Sequence, residues 1–428
     1  MMSPLPTAMV RLLGSPPRPH RRRTLLLSLL CGLSLSGCSA RLELPNLVYL
    51  TVSTNSDQTI DAELLDDFQE RLSILENGYR QLHPATRFQF GVYREDQINA
   101  ATKRRNRAGL GPDLLFINGD TARQLLDQGL IDPFPLDASL AKLFNPDDLR
   151  RMRMPNGALA GLPIMIQPQV ACYNRKRMPN PPSTLGELLK ASAQGNTVGL
   201  SVDIASLFWT AGSMGAVEAM DRIAAGATPT RADRERIKAW LSWLQNASDQ
   251  QRVSFHADPI SLKKEFSAGR LDWINCSSMS LPRLRKALGP ALGVTSLPSG
   301  PGGLASPINR LRVLALGRSS SQEGRKRAIA FSRFSVNPLV QRSLTLGSET
   351  LLPANRFVKV PLQSSRTLEA MVASQTEGQQ ASTLVATLHN NDPRITATQS
   401  VLTQLVFGEV SPSGATNNLL SLFQNEKP

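Results

Sequence analysis

Apolar positions along the chain follow two alternating periods. Leu47-Val48-Tyr49-Leu50-Thr51-Val52 is a continuous β-rich run, suited to a strand buried on both faces. Leu64, Phe68, Leu72, Leu75 and Tyr79 then recur at spacings of three and four, with Leu65 beside them. They predict a helix with one apolar stripe, ending before Pro84. Arg87 to Val92 reads as a second strand, Glu95 to Arg107 as a polar helix, and Asp113 to Ile117 as a third strand. The turn Gly109-Leu110-Gly111-Pro112 separates the last two, and Thr121 to Gln128 follows as a helix stopped by Gly129. This alternation predicts an α/β class with a parallel sheet covered by helices on both faces.

The second half continues in that style. Gln169 to Tyr173 is a strand, Thr184-Leu185-Gly186-Glu187 has capping-box spacing, and Arg231 to Leu244 is a helix with Ile237, Trp240, Leu241 and Leu244 on one face. Leu271 to Asn275 and Leu311 to Leu316 are strands, Pro298 to Ser306 is a Gly/Pro-rich linker, and Ser320 to Glu323 caps a helix reaching about Phe334.

The N-terminus has a different pattern. Arg21-Arg22-Arg23 precedes the apolar run Leu25 to Leu35, small residues follow, and Cys38 closes the segment. That order is an export signal, and the run is about half the ~20 residues a membrane-spanning helix needs. Leu35-Ser36-Gly37-Cys38 resembles the lipobox of bacterial lipoproteins. The resemblance implies removal of residues 1–37, lipidation of Cys38, a short lipidated linker over 38–46 and a membrane anchor on the periplasmic side of the cell envelope. An ordinary secretory signal with an incidental cysteine is the alternative.

Composition narrows the function classes. With 41% apolar and 19% charged residues the chain is globular, and the part beyond residue 37 is long enough for two domains. The net charge is +14; Arg11, Arg18, Arg21, Arg22 and Arg23 lie in the signal, which has no acid, leaving +9. A basic exported protein can meet nucleic acid, an anionic membrane or an anionic ligand. Nucleic acid is not expected: the tight cluster Lys103-Arg104-Arg105-Asn106-Arg107 has no aromatic neighbours in sequence to stack bases and reads as the solvated end of a helix. No His/Cys spacing suggests a metal, and no cofactor is expected. Cys172 and Cys276 are read as two separately buried thiols, although an oxidising compartment allows a disulfide.

Several landmarks then occur in one order. Gly111-Pro112-Asp113-Leu114-Leu115-Phe116 and Gly129-Leu130-Ile131-Asp132-Pro133-Phe134 resemble the first lobe of extracellular solute-binding proteins of the maltose-binding type. Gly161-Leu162-Pro163 with Cys172-Tyr173-Asn174-Arg175 resembles that family's first hinge crossing. Gly269 to Asn275 with Val294 to Pro298 resembles the second-lobe strand and the crossing back, Leu351 to Ala354 the third crossing, and Phe407 to Pro412 the C-terminal helical segment. The resemblance implies a type II periplasmic-binding-protein fold: two lobes, each a mostly parallel sheet flanked by helices, joined by a multi-strand hinge. It places the first lobe at 47–167 and 305–350 and the second at 168–304 and 351–428. It also implies a monomer that is not an enzyme and that delivers its solute to the permease subunits of an ABC importer.

Ligands of open α/β sheets gather at the carboxyl ends of strands. That points to Asn118 and Asp120 after the third strand. Asp120 falls where sugar-binding members place a carboxylate on hydroxyls, and it also suits an N-cap for a helix starting at Thr121. Gln167 in the first crossing is either a polar contact or a loop amide. Ser206 and Trp209 lie in a segment resembling one that carries aromatic contacts, where a flat ring stacks on a sugar; for Trp209 the alternative is core packing. Trp240, Trp243 and Trp273 read as core. Ser277, Ser278 and Met279 border the cleft, Met279 standing where the family often has a tryptophan. A sugar or polyol is the expected ligand, with an anionic solute such as a sugar phosphate as the alternative. From another class, an exported glycoside hydrolase remains open, because a carboxylate pair is spatial; a purely structural lipoprotein would show no cleft closure. His83, His256 and His389 sit in no hydrolase motif.

Overall fold

A computed structural model describes residues 46–54, 58, 60–381, 384, 388 and 392–425. The expected signal 1–37, the expected lipidation site Cys38 and the expected linker as far as residue 45 lie outside the described residues. The strands are β1 (Asn46–Thr54), β2 (Thr86–Arg94), β3 (Leu114–Asn118), β4 (Ile131–Asp132), β5 (Leu162–Gln167) and β6 (Gln169–Asn174). They continue as β7 (Val198–Ser201), β8 (Val253–His256), β9 (Trp273–Ser277), β10 (Leu292–Thr295), β11 (Arg310–Gly317) and β12 (Leu352–Pro353). One sheet has seven strands in the order β12-β5-β11-β3-β1-β2, with β4 on β11; the other has five in the order β10-β6-β9-β7-β8.

Each sheet has a parallel part, β2-β1-β3 and β9-β7-β8. Antiparallel strands supplied by the crossings complete both. The first crossing is very short: only Pro168 separates β5 in one sheet from β6 in the other. The second runs from β10 to β11. The expected division assigned Leu351 onward to the second lobe, but β12 pairs with β5, so the third crossing lies after Pro353. The helix Arg366–Glu377 then packs against β6 and β10.

The periodicities account for the elements. In the helix Ala62–Leu82, Leu64, Phe68, Leu72, Leu75 and Tyr79 are all buried, and Asp61 caps the start by accepting from the Leu64 N–H at 2.9 Å. Leu65 does not join the stripe: one residue past Leu64 is a 100° rotation, and it remains 41% exposed. In the basic cluster, Lys103, Arg104 and Arg107 are exposed, but Arg105 lies over the Tyr49 ring at 4.9 Å and donates to the Tyr93 hydroxyl at 3.0 Å.

Strand alternation divides the second sheet. Val170, Cys172, Ile274 and Cys276 face a core shared with the first sheet, whereas Ala171, Tyr173 and Trp273 face a second core that includes Trp209 and Trp240. The expectation of separate thiols is corrected here. β6 and β9 are hydrogen-bonded neighbours in which Cys172 opposes Ile274 and Val170 opposes Cys276. The two cysteines therefore lie diagonally on one face, 6.0 Å apart at Cα, and form a disulfide.

Asn309, just before β11, bonds to residues that follow the first and third crossings and to a first-lobe helix. Its Oδ1 accepts from the Gln169 N–H at 3.1 Å, its Nδ2 donates to the Ser374 carbonyl at 2.8 Å, and its own carbonyl accepts from Arg151 at 3.0 Å. Ion pairs also join the lobes, Asp61 with Arg283 and Glu63 with Lys286, the latter at 2.9 Å.

The disulfide closes a loop of 104 residues. Disulfides typically contribute about 2–4 kcal/mol, more for longer loops. In a fragment spanning 39–428, which retains only these two cysteines, alkylation under denaturing conditions is expected to label nothing until a reductant is added. The reductant should also lower the thermal midpoint. Immediate labelling of both thiols would contradict the pairing.

Candidate ligand-binding site

Two recesses adjoin at Gln167, the last residue of β5. One, of about 460 Å³ including the solvent at its mouth, is lined by Gln167, Gln169, Ser201, Ser206, Asn275, Ser277, Lys263 and Arg310. Ser201 and Asn275 to Ser277 are the carboxyl ends of β7 and β9, where α/β sheets hold ligands. The other, of about 540 Å³ again including the solvent at its mouth, lies on the first lobe between the helix Ala62–Leu82 and the ends of β1, β3 and β5. Its walls are mostly aliphatic, with Arg71, Arg312, Phe116 and Met279 at its border.

In the hinge recess the amides of Asn275 and Gln169 have fixed roles. Asn275 Nδ2 donates to the Ser206 carbonyl at 2.9 Å and Gln169 Nε2 to the Ala205 carbonyl at 2.6 Å. Their Oδ1 and Oε1 atoms are therefore the acceptors left over, and both are buried without a hydrogen-bond partner. Asn275 is only 5% exposed. An unsatisfied buried carbonyl is costly, so these oxygens are suited to hydroxyl or N–H donors on a solute.

Arg312 forms the back of the first-lobe recess. It is 1% exposed, yet lies within β11 among Leu311, Val313 and Leu314. Its Nη1 donates to Ser53 Oγ at 3.1 Å, Asn118 Oδ1 at 2.9 Å and Glu95 Oε2 at 3.4 Å. Its Nη2 donates to the carbonyls of Ser53 at 2.7 Å and Phe116 at 2.8 Å. The guanidinium stacks 4.7 Å from the Phe116 ring centre, and Nε is buried without a partner. Burial pushes its pKa down to about 10, with Glu95 opposing that shift. A register shift between Arg312 and Val313 in the ladder to β5 marks a bulge, a common device for re-aiming a side chain beside a site.

These contacts sort the residues singled out in the sequence. Gln167, Ser206 and Ser277 come together in the hinge recess, and Met279 lines the other, where Arg71 Nη1 approaches its sulfur at 3.5 Å. Asn118 stands behind Arg312, its side-chain oxygen taken by the guanidinium. That also explains why Asn118 makes no side-chain cap on the helix Gly119–Asp127. Because this helix begins at Gly119, Asp120 lies in its first turn and is not the cap. There it suits the positive helix end and interacts with Arg123, lining neither recess. Ser278 is fully buried and its hydroxyl donates to the Thr350 carbonyl at 2.6 Å, so it is a joint between segments rather than a ligand contact. Trp209 is also fully buried, packing 6.1 Å from Trp273, and offers no face to a solute.

Arg312, Arg310, Lys263, Arg71, Gln169 and Asn275 were not anticipated. For two of them a signal was present: Arg310 and Arg312 interrupt a strand otherwise apolar enough to be fully buried. Replacing Glu95 with Gln leaves the Arg312 charge without its ionic partner. Loss of one member of a buried pair costs about 3–5 kcal/mol. Glu95→Gln should therefore clearly lower the denaturation midpoint, while Asp96→Asn, in an exposed pair with Arg94, should leave it nearly unchanged. Equal midpoints for the two variants would contradict this account of Arg312.

No curated protein sequence matches the chain. Among solved structures it is similar to the GacH receptor of Streptomyces glaucescens, determined unliganded and with acarbose. That likeness has a TM-score of 0.69 at 18% identity, covering 90% of this chain and 100% of that one. The maltose-maltodextrin binding protein of Alicyclobacillus acidocaldarius gives a TM-score of 0.61 at 19% identity, covering 89% and 100%. An extracellular solute-binding protein from Staphylococcus aureus in complex with maltose gives 0.61 at 17%, covering 89% and 97%. These likenesses bear out the two-lobed fold. Residues 77–361, well over half of the chain, match the family model described as bacterial extracellular solute-binding protein. The chain belongs to the family of bacterial extracellular solute-binding proteins.

Proposed function

We propose that the protein captures a small polar solute, a sugar or polyol, in the cleft between its lobes and delivers it to the permease subunits of an ABC importer. It acts as a monomer, held by lipid on Cys38 at the periplasmic side of the membrane. The observation that carries this reading is the hinge recess, where two buried amide oxygens stand without donors: Asn275 Oδ1 toward the carboxyl end of β9, and Gln169 Oε1 at the start of the antiparallel β6 beside it. Hydroxyl groups supply what they need. Gln167, Ser206 and Ser277 add further polar contacts, and Met279 borders the first-lobe side.

The family and the sugar-binding character of the structural neighbours support binding without turnover. No described helix is long and apolar enough to cross a membrane; the anchor in this reading is the lipid on Cys38. A tether raises the effective concentration of receptor at its permease.

The test uses the fragment 39–428 with a panel of monosaccharides, disaccharides and polyols, followed by thermal denaturation and tryptophan emission. A true solute at 100 times its dissociation constant stabilises the protein by about 2.7 kcal/mol. Asn275→Ala is expected to abolish most of that shift while the unliganded protein still folds. Turnover of a chromogenic glycoside with no stabilisation by any solute would sink the receptor reading.

A further inference from the structure

The apolar wall of the first-lobe recess extends this reading, and the following rests on it. In the helix Ala62–Leu82, Leu64 and Tyr79 end the buried stripe and are 3% and 2% exposed. Phe68, Leu72 and Leu75, between them, are 9%, 8% and 9% exposed. The middle of the stripe is the less covered part because it lines the recess. Spacings of four and three put these three side chains on one helix face. Leu344 and Leu351 add aliphatic surface from the first lobe, and Met279 completes the wall from the second. At the back of the recess the polar atoms are engaged within the protein: Ser53 Oγ donates to Glu95 and accepts from Arg312 Nη1, and Arg312 Nη2 is held by two carbonyls. Gln167 lines both recesses, so the apolar wall is continuous with the hinge recess.

A bare sugar suits such a wall poorly. It carries hydroxyls on every side, and one set against hydrocarbon gives up its water without a replacement. Two rings that could stack on a sugar's C–H face are taken: Trp209 lies buried against Trp273, and the Arg312 guanidinium covers one face of Phe116. The hinge recess makes the opposite demand, because Asn275 Oδ1 and Gln169 Oε1 are acceptors in need of donors. Ligand pockets commonly combine a largely apolar wall with a few placed polar groups. One solute meets both demands when its hydroxyls stand at one end and its hydrocarbon at the other.

We propose that the solute is an amphiphile, a hydroxylated head joined to a hydrocarbon group, of which an alkyl glycoside is the simplest form. The head donates to Asn275 and Gln169 in the hinge recess. The hydrocarbon lies in the first-lobe recess against Phe68, Leu72, Leu75, Leu344 and Met279.

The experiment is calorimetric titration of the fragment 39–428, below the micelle-forming concentration of every compound, with matched sets. These are glucose, methyl glucoside and hexyl glucoside; glycerol, 1-O-methylglycerol and 1-O-hexylglycerol; and hexan-1-ol alone. A fully buried methylene is worth about 4-fold in affinity, so in at least one set the hexyl member should bind at least about 30-fold more tightly than the methyl member. Its heat capacity of binding should also be the more negative. Met279→Gln, which puts an amide into the wall, should narrow the gap by about 5-fold or more. Leu344→Phe, which fills the recess instead, gives the same readout should Met279→Gln fail to fold. The glucoside and glycerol sets identify which head is read. Methyl members that bind as tightly as hexyl ones, hexan-1-ol that binds as tightly as either hexyl member, or a gap unchanged in a folded variant overturns this inference. Where glucose or glycerol still binds, the sugar and polyol reading stands without it. Binding by no member of any set overturns the receptor reading itself, and the inference falls with it.

Discussion

The arrangement of the first lobe depends on one buried charge. The Arg312 guanidinium is out of water, and an ion in that state is tolerated only with close partners. Its partners are the end of β1 through Ser53, the last residues of β3 through Phe116 and Asn118, and Glu95 in the turn after β2. Three successive strand ends are thereby held to one guanidinium on a strand that arrives from the second crossing. The same contacts take up the Asn118 side chain, leave the following helix without a side-chain cap, and set the wall against which Phe116 and Met279 form the first-lobe recess.

The hinge transmits that order to the other lobe. Pro168 alone separates β5 from β6, and the Pro168 carbonyl accepts from the Ser278 N–H at 2.9 Å. Asn309 bonds to the segments after the first and third crossings, and the Cys172–Cys276 disulfide fixes β6 to β9 just beside Asn275 and Ser277. The polar recess is therefore built on strands whose relative position is covalently set, while ion pairs such as Glu63–Lys286 span the lobes at the surface. Exposed pairs of that kind contribute little on their own. A solute shifts the lobes toward closure only by binding the closed form better, which requires contacts made from both sides. Gln167, the last residue of β5, lines both recesses.

Much of the fold was legible in the chain because periodicity is a local property. The stripe from Leu64 to Tyr79 and the strand runs at Leu47, Arg87 and Asp113 map onto real elements within a few residues. The site was less legible because it depends on register. Cys172 and Cys276 are 104 residues apart in sequence, and only the β6–β9 ladder places them diagonally on one face. Trp209 suggested a sugar plate by its type, but three-dimensional packing puts it under Trp273. Ser278 and Ser277 are adjacent in sequence, yet one is a buried joint and the other lines the recess. Arg312 was the strongest unused signal, since a cation inside an apolar strand requires a reason to be there.

Hydrogen exchange with and without a saturating solute tests most directly the claim that the hinge recess is where the solute sits. Protection on binding is predicted to concentrate at the end of β5 and start of β6, around Ser201 to Ser206, at Asn275 to Ser277 and at Arg310 to Arg312. Protection confined instead to the open surface groove around Gly212, Glu218, Glu235 and Gly302, with none at those segments, would contradict the account.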